Sequence, residues 1–187
     1  MRVLVACEFS GVVRDAFAAL GHDAWSCDLL PTEIPGKHYH GDVMDIINDG
    51  WDLMVAHPPC TFMSYAGMRW FKVQPDRVDK AQAAFDFFMK MVNAPIPMIA
   101  VENPRGYPLK WYRQSDQVIQ PYYFGEPMTK ETHLWLKNLP PLMATLIKLN
   151  PIVNWTAHKT GAHSGKARSR TFPGIARAMA AQWGRLS

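Results

Sequence analysis

Two rhythms of apolar residues alternate along this chain. Short uninterrupted apolar runs read as strands buried on both faces, and stretches with apolar residues every three or four positions read as amphipathic helices. Residues 2–7 (RVLVAC) are a run of the first kind. After the turn EFSG, Val13, Phe17 and Leu20 lie at helical spacing over residues 12–20, and Gly21 ends that helix. Residues 24–27 form a second short strand with Asp28 at its end. Pro31, Pro35 and Gly36 make residues 31–40 a loop, and Gly41-Asp42-Val43 leads into a brief helical segment. Residues 52–56 form the central strand, which His57, Pro58 and Pro59 stop. Neither proline has an N–H and each fixes its own φ, so the chain leaves the sheet as a stiff extended segment.

The second half repeats the scheme. Val78, Ala81, Phe85, Phe88 and Val92 make residues 77–93 the clearest helix; Asp76 is placed to cap it, and Pro95 and Pro97 end it. Residues 98–101 are a strand, with Glu102, Asn103 and Pro104 just past it. Residues 107–120 are polar and helical in part, residues 121–127 (PYYFGEP) are an aromatic turn, and residues 132–136 (THLWL) alternate as a strand does. Residues 139–154 are broken by prolines, residues 156–171 are a basic loop, and residues 172–184 are a closing helix with Ile175, Ala176, Met179, Ala180 and Trp183 on one face. Strands alternating with helices predict an α/β fold with a mostly parallel sheet in one domain, residues 1–187, with neither repeat nor linker.

Composition narrows the function classes. With 48% hydrophobic and 19% charged residues the chain is globular rather than disordered. No apolar run is long enough to span a membrane and the first residues have no signal-peptide layout. Three cysteines are no disulfide framework, so a reducing, cytoplasmic setting is expected. His38 and His40 have no CxxC to join them, so no metal site is expected. The net charge of +4 is modest. Residues 158–170, however, carry Lys159, Lys166, Arg168 and Arg170 and no acid, which suits either polyanion contact or a solvated basic loop.

Candidate chemistry collects where strands end. Cys60 sits just past the carboxyl end of a buried strand, where open α/β sheets hold their ligands. An unbridged cysteine is more often a small buried hydrophobe. Thr61, Ser64, Ala66 and Gly67 make the following stretch small enough to move or to approach a substrate closely. Residues 68–75, with Arg69, Trp70, Phe71 and Lys72, form either a loop over the site or surface packing. Glu102 at a strand end is costly if buried alone, so it pairs with a cation such as Arg105 or awaits a substrate, and in a dry site its pKa should rise. The turn with Ser10 and Gly11 makes the first strand and helix half of a nucleotide-binding unit, whose helix start offers N–H groups to a ligand, although a full GxGxxG is absent. Asp28 is placed to accept from ribose hydroxyls or to close a turn, and Asp42 to accept from a purine amine or to cap the next helix.

Taken in order, these stretches resemble the DNA cytosine 5-methyltransferase family, in the short form carried by bacteriophages and prophages. EFSGVVRDAFAALGHDAWSCD is similar to its cofactor-binding first motif, GDV to its G-D-I motif, HPPCTFMSYAG to its catalytic P-C motif and VENP to its E-N motif. FGEPMTKETHLWL resembles the later G-x-P-Q-x-R-x-R segment, and RTFPGIARAMAAQWG the terminal helix that returns to the cofactor. The resemblance implies a Rossmann-like fold and S-adenosylmethionine as cofactor, held by Phe9, Ser10, Gly11, Asp28, Asp42 and Pro58. It implies Cys60 as nucleophile and Glu102 as the group that binds and protonates the base. Ser64, Asn103 and Lys130 fall on the substrate side, and Lys159, Lys166, Arg168 and Arg170 would meet the phosphates of double- or single-stranded DNA. Lys130, Arg69 and the basic loop are candidates for lowering the pKa of the Cys60 thiol.

Two departures stand out. Met128, Lys130 and Thr132 replace the family's Gln, Arg and Arg, so one cation is lost. Residues 137–171 occupy the gap where the family carries a target-recognition domain, so sequence selection on DNA is loose or comes from a protein partner. Three other readings stay open. An exocyclic-amine methyltransferase usually has an aromatic residue after its prolines, where this chain has Cys60. A degenerate relative would bind cofactor or DNA without turnover. The same chemistry on RNA or a nucleotide also fits.

Overall fold

Residues Arg2–Ala6 form β1, the strand on which the sheet is built. In the computed structural model, which describes residues 1–65, 67, 74, 76–147, 153–154 and 169–186, the chain continues through α1 (Val12–Ala18), β2 (Asp23–Asp28), β3 (His38–His40), β4 (Leu53–Ala56), α2 (Arg77–Val92) and β5 (Met98–Asn103). Then come α3 (Pro108–Trp111), β6 (Gln117–Ile119), β7 (Met128–Thr129), β8 (Thr132–Lys137), β9 (Val153–Asn154) and α4 (Pro173–Trp183). Among the described residues one seven-stranded sheet runs in the order β3-β2-β1-β4-β5-β8-β6, and β7 pairs with β9 apart from it. Strands β3 to β5 are mutually parallel, and β8 runs against both of its neighbours.

Alternation along the strands splits the core in two. Val3, Val5, Leu53, Val55, Ala100 and Leu134 face α1 and α4, where Phe17, Ile175, Met179 and Trp183 cover them. Leu4, Ala6, Met54, Ala56, Ile99, Val101 and Trp135 face the other way and pack with Phe88 and Met91 of α2. Each Val, Leu, Ile, Met or Phe among them, withdrawn from water, stabilises the fold by about 1.5–3 kcal/mol. The two large indoles are buried without a polar penalty, since Trp183 Nε1 donates to the Pro140 carbonyl at 2.9 Å and Trp135 Nε1 to that of Arg113 at 3.1 Å. No helix among the described residues is long and apolar enough to cross a membrane.

Several elements differ from the sequence reading. The expected 31–40 loop ends in β3, and the expected partly helical 107–120 stretch holds α3 and then β6. Both extra strands are three residues long and lie at the sheet's edges, where pairing with a neighbour rather than local propensity selects them. Helix α1 stops at Ala18 and leaves Leu20 53% exposed, off the apolar face it was assigned to. Val78 is likewise exposed. Asp76 does not cap α2; its carboxylate pairs with Lys80 one turn on, at 2.5 Å. Strand β5 runs through Glu102 and Asn103 instead of ending before them, because both residues pair with β8.

Candidate active site

Strand order reverses direction between β1 and β4. In doubly wound sheets ligands bind outside the carboxyl ends of the strands at that switch. Here the switch is flanked by residues 7–11 after β1 and residues 57–60 after β4.

The segment after β4 is stitched to β5 at several points. Asn103, fully buried, donates from Nδ2 to the Pro58 carbonyl at 3.0 Å. The Cys60 carbonyl accepts from the N–H groups of Met63 and Ser64, at 3.1 and 2.9 Å, which closes a turn behind the cysteine. Ser64 bridges to Gly106, Tyr65 N donates to the Arg105 carbonyl at 3.1 Å, and Tyr107 N donates to that of Met63 at 2.9 Å. The approach at Gly106 is so close that a Cβ there would run into the Met63 carbonyl. From the first turn of α2, Arg77 donates through Nη2 to the Thr61 carbonyl at 2.8 Å. The loop bearing Cys60 is therefore fastened to the strand end bearing Glu102.

Registered neighbours Ala56 and Val101 place His57 beside Glu102, and His57 Nδ1 lies 3.3 Å from Glu102 Oε2. The two side chains are 7% and 18% exposed. Burial acts to raise the Glu102 pKa, but the His57 hydrogen bond and the charges of Lys130, His57 and His133 outweigh it, so the carboxyl titrates below its ordinary range. This reverses the expectation of a raised pKa. The partner is also not Arg105 but the histidine that the sequence reading treated only as a strand stop. A small cleft beside the pair is lined by Lys130, Thr132, Thr171, Phe172 and Ile175. The Lys130 ammonium stands 6.0 Å from the Phe172 ring centre, and its backbone N–H donates to Gln120.

The β1 side is built around a carboxylate the sequence reading passed over. Glu8, 4% exposed, accepts from Ser10 Oγ at 3.0 Å, from Val13 N at 2.7 Å and from Arg14 N at 3.2 Å. The N–H groups expected to await a ligand at the start of α1 are thus taken by Glu8. Gly11 precedes the helix at φ +75°, and a Cβ there would also strike the Arg14 guanidinium. Arg14 is itself buried and bonds Ser26, Thr32 and the carbonyl of Ile34, which fixes the segment between β2 and β3. That segment reaches over the turn, with Glu33 N donating to the Phe9 carbonyl at 2.9 Å. Arg170 closes on it with a bidentate pair to Glu33, at 2.8 and 2.7 Å.

Asp28 and Asp42 stand at the end of β2 and just past β3. Asp28 closes a turn by accepting from Leu30 N, and Asp42 caps the 3-10 turn Val43–Asp45 by accepting from Met44 N, both at 2.9 Å. Each uses one oxygen in that bond and has the other as a further acceptor for hydroxyl or amine donors. The Cys7 thiol is driven well above its ordinary pKa by burial first and then by Asp28, Cys27 and Asp42. Burial pushes Cys27 up to about 12, with Asp28, Asp42 and Asp45 adding to it. Burial thus works against ionisation of both thiols.

Phe9, Ser10, Gly11 and Pro58 flank the switch, Glu102 and Lys130 line one cleft, and Asn103 is turned to Pro58. Ser64 sits behind Cys60, and Arg170 is engaged with Glu33. Lys159, Lys166, Arg168 and Arg69 lie outside the described residues.

No protein-family model matches the chain, and no curated protein matches it. Among solved structures it is similar to a prophage-encoded protein of Escherichia coli provisionally described as a DNA modification methyltransferase, with a TM-score of 0.51 and 17% identity. The match covers 78% of this chain and 51% of that one, so this chain spans about half the length of its neighbour. The likeness establishes the fold: a mixed α/β domain with a mostly parallel sheet between helices.

Proposed function

We propose that this chain transfers a methyl group from S-adenosylmethionine to carbon 5 of cytosine in DNA, through a covalent adduct on Cys60. The observation that carries the reading is the fastening of the Cys60 loop to β5 by the buried Asn103–Pro58 hydrogen bond, next to the His57–Glu102 pair. The methyltransferase description of the E. coli neighbour supports the same reaction class.

Carbon 5 of cytosine is a weak nucleophile. Cys60, as thiolate, adds to carbon 6, and the former C5–C6 double bond becomes enamine-like at carbon 5. Glu102 binds the ring nitrogen and exocyclic amine and delivers a proton to the ring nitrogen as the sulfur adds. Bound S-adenosylmethionine supplies the electrophilic methyl group that carbon 5 takes up. Solvent water takes the carbon-5 proton, the electrons left behind expel Cys60 as thiolate, and the ring nitrogen hands its proton back to Glu102, which restores the neutral ring. Asp28 accepts from the cofactor's ribose and Asp42 from its purine amine, with Phe9, Ser10, Gly11 and Pro58 around them. In a duplex the target base is flipped out to reach the sulfur. Lys159, Lys166 and Arg168 hold phosphates, joined by Arg170 once it leaves Glu33.

The test is incubation with isotopically labelled S-adenosylmethionine and single- or double-stranded DNA, followed by nucleoside analysis. The expected product is 5-methylcytosine. Label on an exocyclic amine, or none on DNA while RNA supplied in a parallel incubation takes it up, would overturn the assignment.

A further inference from the structure

Glu102 is a carboxylate at rest, yet the chemistry above asks it for a proton. The question is where that proton is kept. Among the described residues the proton-bearing group in hydrogen-bond contact with Glu102 is His57, through Nδ1. The other cations near it are poorly suited. Lys130 acts on Glu102 through its charge. His133 has both ring nitrogens committed, Nδ1 to Ser115 Oγ at 2.8 Å and Nε2 to Glu131 at 2.9 Å. From α4 and its approach, Thr171, Phe172, Ile175 and Met179 line the cleft, none of them charged.

His57 differs from His133 in one respect. Its Nε2 is buried with no hydrogen-bond partner among the described residues. A histidine kept for structure normally satisfies both nitrogens, because an orphaned buried polar atom is costly. Imidazole is also the side chain that exchanges a proton near neutral pH.

We propose that His57 is a positioning residue that fixes Glu102 against the cytosine edge and stores the proton Glu102 delivers. The inference rests on the reading of Cys60 and Glu102 above. The step starts from imidazolium, carboxylate and thiolate. When sulfur bonds to carbon 6, the Nδ1 proton passes to Glu102 Oε2, and a proton from the carboxyl group passes to the ring nitrogen. His57 ends neutral, Glu102 ends again as carboxylate, and the adduct carries no charge. Expulsion of Cys60 returns the proton by the same path.

Two measurements test this on the full chain. The first is exchange of the cytosine carbon-5 hydrogen with solvent, followed by tritium release from DNA across pH for the wild type, His57→Asn and His57→Gln. Asn places an amide N–H where Nδ1 stood but has no proton to give. The wild-type rate should rise with pH as the Cys60 thiol ionises and fall as His57 deprotonates. His57→Asn should bind DNA normally, run about tenfold slower at neutral pH and lose the falling limb. The second is titration of the His57 ring by NMR, which should move to lower pH in Glu102→Gln. Wild-type rate and pH profile in both His57 variants, or an unmoved His57 titration in Glu102→Gln, would remove His57 from the mechanism and leave the function standing. A wild type that neither exchanges the hydrogen nor makes 5-methylcytosine would take down the function, and this inference with it.

Discussion

Asn103 Nδ2 donates to the Pro58 carbonyl across 3.0 Å in a fully buried position, and so ties the end of one parallel strand to the loop leaving its neighbour. Asn103→Leu leaves that carbonyl unpaired, at a cost of about 1–3 kcal/mol. Thermal unfolding should show the loss, and hydrogen exchange should localise it to residues 58–65. An unchanged melting temperature would mean that the loop is held elsewhere.

Cys60→Ala should abolish methyl transfer while cofactor affinity, measured by calorimetry, stays at the wild-type level. DNA containing 5-fluorocytosine should form a stable adduct with the wild type and none with the variant. Cys7→Ser should keep activity, since its thiol is held protonated. Activity in Cys60→Ala would end the covalent mechanism.

Gly106→Ala pushes a methyl group into the Met63 carbonyl and separates the Cys60 loop from β5. A displacement of about 1 Å costs up to roughly a hundredfold in rate. The expected result is a fall in kcat with DNA affinity preserved, read by single-turnover kinetics.

Glu8→Ala strips the start of α1 of the acceptor for Val13 and Arg14. The fold should lose about 1–3 kcal/mol in urea unfolding. Glu8→Gln, which keeps one acceptor, should lose less. Equal losses in the two would place the effect in the charge rather than in the cap.

Acid should weaken the fold through Glu102 and Asp116. Burial acts to raise the Asp116 pKa, but the Arg113 hydrogen bond and the Leu136 N–H outweigh it and hold the carboxyl low. Glu102 is held low as well. Each group therefore adds stability above its unfolded pKa and loses it as pH falls through its folded value. Urea midpoints should hold from neutral pH to about pH 5 and drop below that, and less steeply in Glu102→Gln with Asp116→Asn. Parallel curves for the wild type and the double variant would contradict this.

Much of the architecture was readable from apolar pattern alone. The runs at β1, β4 and β5 are buried on both faces, and α2 and α4 have faces long enough to show their period. β3 and β6 were not readable, because His-Tyr-His and Gln-Val-Ile become strands only against a neighbour. In a parallel sheet strand ends share one edge, so Cys60 and Glu102 could be assigned to the same side from sequence order. Their fastening could not be: the His57–Glu102 contact depends on the pairing of Ala56 with Val101, which is a matter of register. Glu8 stayed hidden because nothing in EFSG says that an acid after a strand will fold inward.

That inward turn decides what the crevice can host. Dinucleotide enzymes of similar topology seat a pyrophosphate on the first helix, where bare N–H groups and the helix dipole welcome negative charge. Here an anion is already installed at that spot, with two more acids at the neighbouring strand ends. A phosphate brought to the start of α1 would meet carboxylates there rather than open N–H groups.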